Sequence, residues 1–356
     1  MPPTVAIQEV TEISVATHAV ADEARRGLTS VQKSLAPWLF YDETGSRLFE
    51  RITALPEYYL TRTERDLFHA HADEIFRLAA SPTSRQQPTT GNLPGNLPLT
   101  IAELGAGTAS KTGILLRALT RRQPHVLYQP IDISPTALDE ARAQLELTIP
   151  GLTVQPRTAN YVTENVRFER PPRTRILALY IGSSIGNFSP AEAGQILTRL
   201  RSELQPGDSL LLGADLGPCL TELGPSKSIS TLLAAYNDAA GVTAAFNRNV
   251  LVRLNRELDA NFRPEQFAHR ALWNHTHSRI EMHLQSLVSQ RVSIPANSAG
   301  HQLSLHFAVS ETIHTENSHK FTPAAIAALL GASGFAPVRT FTDPHNLFAV
   351  TLAAAI

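Results

Sequence analysis

The stretch Ile101-Ala102-Glu103-Leu104-Gly105-Ala106-Gly107-Thr108 decides the fold of this 356-residue chain. A short apolar run, interrupted by one acidic residue, ends in a G-x-G turn. The segment from Ser110 to Leu119 then carries apolar residues at helical spacing. A strand, a tight glycine turn and a helix N-terminus form the usual opening of a nucleotide-binding α/β unit. The full dinucleotide fingerprint is absent, because it requires glycine at position 110, where this chain has serine.

The alternation of strands and helices continues beyond this unit. Ser134-Pro135 and Ser189-Pro190 are typical helix starts, and Ser189 with Glu192 forms a capping box. The last predicted helix begins at Thr322-Pro323, and two predicted strands follow it. The pattern predicts strands over Ile101–Leu104, Val126–Ile131, Leu152–Gln155, Arg175–Ile181, Ser209–Gly213, Val338–Phe341 and Leu347–Leu352. We therefore predict an α/β fold with a doubly wound, Rossmann-like parallel sheet.

Residues 225–320 interrupt this alternation. They begin with a predicted helix, Ile229–Ala239, and continue with a long stretch that lacks sheet alternation. Strand-like alternation returns around Ile280–Leu287 and Leu303–Val309. We therefore predict a second, α+β domain that lies over the carboxyl edge of the sheet. Its predicted bounds are 1–62 and 225–320, against 63–224 and 321–356 for the sheet domain.

Residues 81–99 form a separate feature, rich in Pro, Gly and small polar residues, with a tandem GNLP-GNLP. This composition predicts a flexible surface insertion just before the first strand.

Composition and charge exclude several classes of function. The formal net charge is −1, so no basic field favours nucleic acid or an anionic membrane. No apolar run approaches the roughly 20 residues that a membrane span requires. Residues 1–30 lack the apolar segment of a secretory signal, and Cys219 is the single cysteine, which excludes a cysteine-based metal cluster. The single cysteine fits a reducing cytoplasm, where we expect this chain to act. We also expect a monomer.

Ligands of such sheets bind beyond the carboxyl ends of the strands. Gly105 and Gly107 would let the backbone approach a ligand closely there. Asp132 ends the second predicted strand, where an acidic residue commonly accepts the ribose hydroxyls of a nucleoside; a helix cap or a solvated acid is the alternative. Lys111 could meet a carboxylate or remain solvated.

Two further loops follow predicted strands. Asn160-Tyr161, at the end of the third, offers an amide and an aromatic ring that could bond to and stack on a purine. Gly182-Ser183-Ser184-Ile185-Gly186-Asn187-Phe188 follows the fourth, and its glycines and asparagine indicate a backbone that approaches a ligand. A polar loop that leads into the capped helix is the alternative.

Longer motifs resemble the histidine-specific Nα-methyltransferase family of ergothioneine biosynthesis, which uses S-adenosylmethionine and has the class I methyltransferase fold. The resemblance covers nearly the whole chain apart from residues 1–15 and 81–99. It rests on E-x-G-x-G at 103–107, FYDETGSRLF at 40–49, LPEYY at 55–59, TRTE at 61–64, IGSSIGNFSP at 181–190, AAYNDAAGVTAAFNRNVL at 234–251, RIEMHL at 279–284 and HTENSHKF at 314–321.

The resemblance implies roles for single residues. Those implied or proposed for cofactor binding are Gly105, Gly107, Lys111, Asp132, Asn160 and Tyr161. Those implied for the α-amino and carboxylate groups of the amino acid are Asn187, Tyr58 and Tyr236, with Gly182 contributing backbone. Those implied for the imidazole pocket and its cover are Glu316, Ser318, Met282, Phe246, Tyr41 and Phe49. If 312–321 is a strand, Glu316 and Ser318 point to the same face and suit the two nitrogens of an imidazole.

Two departures from the family pattern concern the cofactor. Ala159-Asn160-Tyr161 stands where bacterial members often have Gly-Asp-Phe, and GAGTASKT at 105–112 lacks an acidic residue before the lysine. The segment Gly217–Ser228 is longer than usual.

The activity that the resemblance implies is trimethylation of L-histidine to hercynine, without a metal. The alternatives are methylation of another aromatic amino acid, such as tryptophan, and a non-catalytic cofactor-binding module.

Overall fold

A computed structural model describes residues 18–81, 97–218, 227–295 and 302–356. Cys219 and most of the predicted insertion lie outside these described residues. The chain divides into two compact units: the first takes in the residues up to Tyr58 together with Ile229–Ser318, and the second is Tyr59–Ser228 with His319–Ile356. Within the described ranges, the helices are all too short or too polar to cross a membrane.

The helices are labelled in chain order. They are α1 (18–28), α2 (Glu43–Thr53), α3 (Tyr59–Ala80), α4 (Thr112–Thr120), α5 (Pro135–Thr148), α6 (Pro190–Ser202), α7 (Ile229–Tyr236), α8 (Val242–Leu258) and α9 (Pro323–Ala332). The strands β1 to β6 are Leu99–Leu104, Val126–Asp132, Leu152–Val154, Arg157–Thr158, Arg175–Tyr180 and Ser209–Asp215. The strands β7 to β13 are Phe267–Asn274, Arg279–Ser286, Gln290–Ile294, Leu303–Phe307, Thr312–His319, Phe335–Thr342 and Phe348–Ala355.

The second unit is built on one sheet, with strand order β12-β13-β6-β5-β1-β2-β3 and with β4 paired to β2. Strands β3, β2, β1, β5 and β6 pair in parallel, whereas β13 runs antiparallel to both of its neighbours. Every residue of β1, β6 and β13 is buried, which explains why these segments read as continuous apolar runs covered on both faces. The strand order reverses between β1 and β5, so the ligand crevice of this fold lies at their carboxyl ends.

The predicted sheet is confirmed, including the closing helix α9 and the hairpin of β12 and β13. Two details of the prediction are wrong. Helix α4 begins at Thr112 rather than Ser110, because Ala109, with φ of 51°, keeps the preceding residues in the turn. Asn160-Tyr161 follow β4 and not the third strand, because β4 adds a short second pairing beside the end of β2.

The first unit combines α2, α7 and α8 with a three-stranded sheet, ordered β11-β8-β7, and a two-stranded ribbon of β9 and β10. The stretch predicted to lack sheet alternation contains both α8 and β7. Helix α8 buries residues at helical spacing from Val242 to Leu258, while β7 is largely half-exposed and so has no clean apolar alternation.

Candidate active site

The glycine turn after β1 exposes backbone at the crevice. Gly105 and Gly107 have φ of +67° and +53°. This left-handed backbone conformation is unfavourable for residues other than glycine. The N–H groups of Gly105 and Ala106 donate to the carbonyl of Ile131, at 2.8 and 3.1 Å, and fix the turn to β2. A Cβ built on Gly107 meets no heavy atom of the described residues within 4 Å, so this backbone faces open space.

Asp132 lies beside this turn at the end of β2. Its two carboxylate oxygens accept hydrogen bonds from the N–H groups of Gly107, at 2.8 Å, and Ser134, at 2.9 Å. Burial raises the pKa of Asp132 above its ordinary value, against the lowering effect of these bonds. A carboxylate has about four acceptor positions, so both oxygens keep the capacity to accept ribose hydroxyls.

Glu103, the acidic residue of the stretch that decides the fold, faces the interior and not the crevice. Its side chain is 2% exposed and accepts hydrogen bonds from the hydroxyls of Tyr128 and Thr112. Burial raises the pKa of Glu103 to about 7, although these two bonds lower it. Glu103 therefore supports the strand and the start of α4 rather than a ligand.

Lys111 pairs with a carboxylate of the chain itself. Its Nζ lies 2.5 Å from Oε2 of Glu64, a fully buried residue of α3. Glu64 Oε1 also accepts the N–H of Gly182 at 2.8 Å, so one carboxylate joins α3, the glycine turn and the loop after β5. An ammonium has three donors, so Lys111 can still meet a ligand carboxylate. The TRTE motif contains Glu64, but no local pattern predicts that it pairs with Lys111.

The loop after β5 is held in an irregular conformation. Ser183 has φ of 59° and accepts the N–H of Asp215 through its Oγ at 2.9 Å. A short 3-10 helix, Ser184–Asn187, follows and places half-buried Asn187 at its end. Since the N–H of Gly182 is bonded to Glu64, the backbone contribution expected of Gly182 can come from its carbonyl oxygen.

Tyr161 and Asn160, the two residues expected near the adenine, differ in what their side chains contact. The hydroxyl of Tyr161 lies 3.3 Å from the position of a Cβ on Gly105, and its ring packs edge-on against Tyr180 at 5.7 Å. Asn160 accepts the N–H of Val162 through its amide oxygen at 3.1 Å. The structure therefore brings Tyr161 to the glycine turn, while Asn160 also shapes its own loop.

A buried ionic cluster at the end of β6 was not predicted from the sequence. Asp215 is fully buried, pairs with Lys320 at 2.7 Å and with Lys227, and accepts the Tyr59 hydroxyl at 2.9 Å. Burial acts to raise the pKa of Asp215, but the two lysines hold it below its ordinary value. Burial lowers the pKa of Lys227 to about 8. Most residues of this cluster are far apart in sequence, so no local pattern predicts that they meet.

The first unit gathers the predicted aromatic residues into one cluster. Phe49 contacts Tyr41, Phe246 and Tyr58 with ring-centroid distances of 5.7, 6.0 and 6.2 Å. Tyr58 in turn contacts Tyr236 at 6.3 Å. These residues come from two segments that are far apart in sequence, 41–58 and 236–246, and they form one continuous aromatic cluster.

Asp42 holds the segment that carries Tyr41. Its Oδ1 caps α2 by accepting the N–H of Gly45 at 2.7 Å, and it also accepts from Asn249 of α8 at 2.7 Å. Arg256 of α8 pairs with Oδ2 at 2.8 Å. A Cβ on Gly45 would collide with the carbonyl oxygen of Phe40, so the tight entry into α2 requires glycine.

The residues expected at the imidazole lie on β8 and β11. Strand β11 contains both Glu316 and Ser318, and the hydroxyls of Tyr236 and Ser318 lie 2.7 Å apart. Glu316 is half-buried, and Met282 of β8 is 2% exposed with its carbonyl accepting the Thr315 hydroxyl at 3.0 Å. Burial alternates along β11 as far as Thr315, but the next buried residue is Ser318, three positions further on. Simple alternation therefore does not describe this end of the strand.

The strand order, the glycine turn after β1 and the acidic residue that ends β2 define a class I, S-adenosylmethionine-dependent methyltransferase. Residues 20–355 match the family described as histidine-specific methyltransferase, SAM-dependent. The chain belongs to this family.

Its relatives include two proteins of similar length. A histidine N-alpha-methyltransferase of Mycolicibacterium smegmatis is 38% identical over 338 residues, which cover 95% of each chain. One of Mycobacterium tuberculosis is 37% identical over 350 residues, covering 96% of this chain and 99% of the other. Ergothioneine biosynthesis protein 1 of Schizosaccharomyces pombe is 31% identical over 228 residues, covering 63% of this chain and 27% of that protein.

Proposed function

We propose that this enzyme transfers methyl groups from S-adenosylmethionine to the α-amine of L-histidine, three times, and so forms hercynine for ergothioneine biosynthesis. Family membership over 20–355 supports the reaction class, and the names of the full-length relatives support histidine as substrate. The structural observation that carries the proposal is the cluster of Tyr41, Phe49, Phe246, Tyr58 and Tyr236, with Ser318 bonded to Tyr236.

The second unit would hold the cofactor. The backbone from Gly105 to Gly107 would lie against the nucleoside, and Asp132 would accept its ribose hydroxyls. Tyr161, beside Gly105, would contact the adenine with Asn160, and Lys111 would meet the carboxylate of the methionine moiety.

Bound S-adenosylmethionine supplies an electrophilic methyl group on its sulfonium sulfur. The chain must hold the histidine amine in line with that methyl group and without its extra proton, because a protonated amine has no free electron pair. We assign the amine to the Asn187 amide oxygen, the Tyr58 hydroxyl and the Gly182 carbonyl, three oxygens that can accept the N–H groups of the incoming ammonium. Loss of one proton to water leaves two N–H groups on these oxygens and frees the electron pair that attacks the methyl group. Tyr236 would meet the substrate carboxylate. Direct displacement requires neither a covalent enzyme intermediate nor a metal.

Three rounds of transfer make the substrate nitrogen progressively bulkier and finally a permanent cation. Aromatic faces attract such a cation through their quadrupole, by about 0.5–2 kcal/mol. The aromatic cluster of the first unit therefore suits a site that keeps its product through successive methylations.

Glu316 and Ser318 would select histidine over other aromatic amino acids. An imidazole offers one N–H donor and one acceptor nitrogen, which suit a carboxylate and a hydroxyl. An indole in the same place would leave the carboxylate poorly paired, which disfavours tryptophan, the second candidate substrate.

Replacing Glu316 tests the substrate. In Glu316→Ala we expect kcat/KM for histidine to fall by up to about 10⁴-fold, with relative activity toward tryptophan and phenylalanine raised. Glu316→Gln keeps an acceptor oxygen and serves as the matched control, with a smaller loss. Affinity for S-adenosylhomocysteine, measured by calorimetry, should change little in both.

Two outcomes would contradict the proposal. An unchanged preference for histidine in Glu316→Ala would remove Glu316 as the specificity determinant. An unmodified protein that binds S-adenosylhomocysteine but methylates no amino acid would instead be the non-catalytic module.

A further inference from the structure

Three side chains of the first unit, outside the proposed active site, meet on one sheet. Glu281 and His283 are two residues apart on β8 and therefore share a face, and His314 lies on the neighbouring strand β11. The rings of His283 and His314 are 4.9 Å apart. One carboxylate oxygen and one nitrogen of each imidazole all lie within 4.8 Å of one another.

The hydrogen bonds around this cluster prepare it for a cation. Glu281 Oε1 accepts from Arg279 Nε at 2.8 Å and from Asn274 at 2.8 Å, while Oε2 faces His283 Nε2 at 3.2 Å. The bonds to Oε1 orient the carboxylate and leave Oε2 as a ligand, as outer partners do around metal-binding carboxylates.

The two histidines are also suited to this role. His314 Nε2 lies 3.0 Å from the backbone oxygen of Glu316, so this nitrogen carries the proton and Nδ1 keeps its electron pair. His283 Nε2 lies 3.2 Å from Glu281 Oε2, so this nitrogen is placed to bind the same ion as that carboxylate oxygen.

We propose that Glu281, His283 and His314 bind a divalent transition-metal ion of the Zn²⁺ type. Two imidazoles and one carboxylate are a donor set that Zn²⁺ accepts, with a fourth position left for water. The ion would join β8 to β11, the strands that carry Met282 and Glu316. It is a structural ion in this proposal, and it takes no part in methyl transfer.

Arg279 weighs against a very tight site, because its guanidinium adds a positive charge close to the cation. The ion pair of Arg279 and Glu281 without a metal is therefore the competing role of the cluster.

Metal titration of the full chain tests the proposal. The protein is stripped with a chelator and titrated with Zn²⁺ by calorimetry, and with Co²⁺ by visible absorption, without cofactor or histidine. We expect one saturable equivalent of Zn²⁺, a visible Co²⁺ spectrum and a higher Tm with Zn²⁺.

Variants assign the binding to these residues. In His283→Ala and in His314→Ala, we expect Zn²⁺ affinity to fall about tenfold or more and the Co²⁺ spectrum to disappear. The chain has 13 histidines, so His277→Ala, an exposed histidine between β7 and β8, is the matched control and should bind as the parent does. Glu281→Gln keeps an oxygen for Arg279 and Asn274 but lacks the charge, and it provides the same test if an alanine variant fails to fold.

The absence of a saturable equivalent in the parent would overturn the proposal, as would parental binding in His283→Ala and His314→Ala. Neither result depends on methyltransferase activity, so the metal site and the proposed reaction can fail separately.

Discussion

Asp132 is oriented by backbone groups of the chain, and its role in binding the cofactor is a prediction. Its carboxylate accepts two backbone N–H groups, which orient it at the end of β2, and it keeps further acceptor positions. The sequence leaves two roles open for Asp132, a cap and a ribose ligand. These roles do not exclude one another, because the bonds from Ser134 and Gly107 leave acceptor positions on the carboxylate.

Asp132→Ala should abolish cofactor binding while the protein remains folded. Loss of charge-assisted hydrogen bonds to the ribose should cost about 1.5–3 kcal/mol each. Calorimetric titration with S-adenosylhomocysteine measures this. Asp139→Ala, an exposed acid on α5, is the control and should bind normally. Unchanged affinity in Asp132→Ala would rule out the ribose role.

Glu103 should make stability depend on pH. Its pKa rises from 4.5 to about 7 on folding, so between these values the folded chain binds more protons than the unfolded chain. The stabilising effect of protonated Glu103 is therefore complete below pH 4.5 and is lost as the pH rises to about 7.

Glu103→Gln, which cannot ionise, should remove this dependence. We expect the free energy of unfolding of the parent to fall relative to the variant by about 2–3 kcal/mol across that range. Urea unfolding of both proteins at pH 4, 5, 6, 7 and 8 measures the difference. Parallel pH profiles would show that Glu103 is already ionised in the folded protein.

At the scale of elements, α2 illustrates a helix whose start is fixed by both local and distant groups. Asp42 followed by Glu43 and Gly45 is a recognisable N-terminal signal, and Asp42 does cap the helix. Its bonds to Asn249 and Arg256, about 207 and 214 residues further along the chain, depend on how α8 packs against α2. Such pairings have no local sequence signal.

Asp42→Ala should therefore cost more than an ordinary cap. Loss of the cap alone costs about 1 kcal/mol, and the bond from buried Asn249 adds to it. Glu43→Ala is the matched control, because Glu43 is an exposed neighbour paired only at the surface with Arg47 and should change stability by less than about 0.5 kcal/mol. Equal Tm losses in the two variants would show that Asp42 acts only as a surface charge.

For the whole molecule, we expect that the fold does not require the predicted insertion, residues 81–99. Arg175 contacts the residues at both ends of this segment. The Arg175 Nη1 donates to the Ser81 carbonyl at 2.5 Å, and the Arg175 backbone N–H donates to the Pro98 carbonyl at 2.9 Å. A short linker can therefore connect α3 to β1. That the chain acts as a cytoplasmic monomer stays a prediction.

Replacing residues 84–95 with Gly-Ser-Gly-Ser should leave histidine methylation largely intact. Shortening a loop changes its closure entropy slowly, so the free energy of unfolding should change by less than about 1 kcal/mol. Turnover and chemical denaturation measure the two effects, with the full chain as reference. A large fall in either would show that the segment is a structural or active-site element.

Local sequence patterns predicted most of the sheet and its glycine turn. Apolar runs, capping residues and glycines act over a few neighbouring residues, so their patterns predicted the strands, the starts of α5, α6 and α9, and the place of Asp132. The same local rules missed β7, a half-exposed strand, and could not give the strand order without general rules of topology.

Which charged side chains meet depends on the folded chain and not on local sequence. Lys111 was expected to be solvated or to bind a ligand, and it pairs with Glu64, which is 47 residues earlier in the chain. Tyr59, Asp215, Lys227 and Lys320 converge on one buried point, and Glu281, His283 and His314 on another. A charged side chain is stable in the protein interior only when it has a partner of opposite charge or a hydrogen bond. Which partner is within reach depends on the path of the whole backbone, and a local sequence pattern does not contain that information.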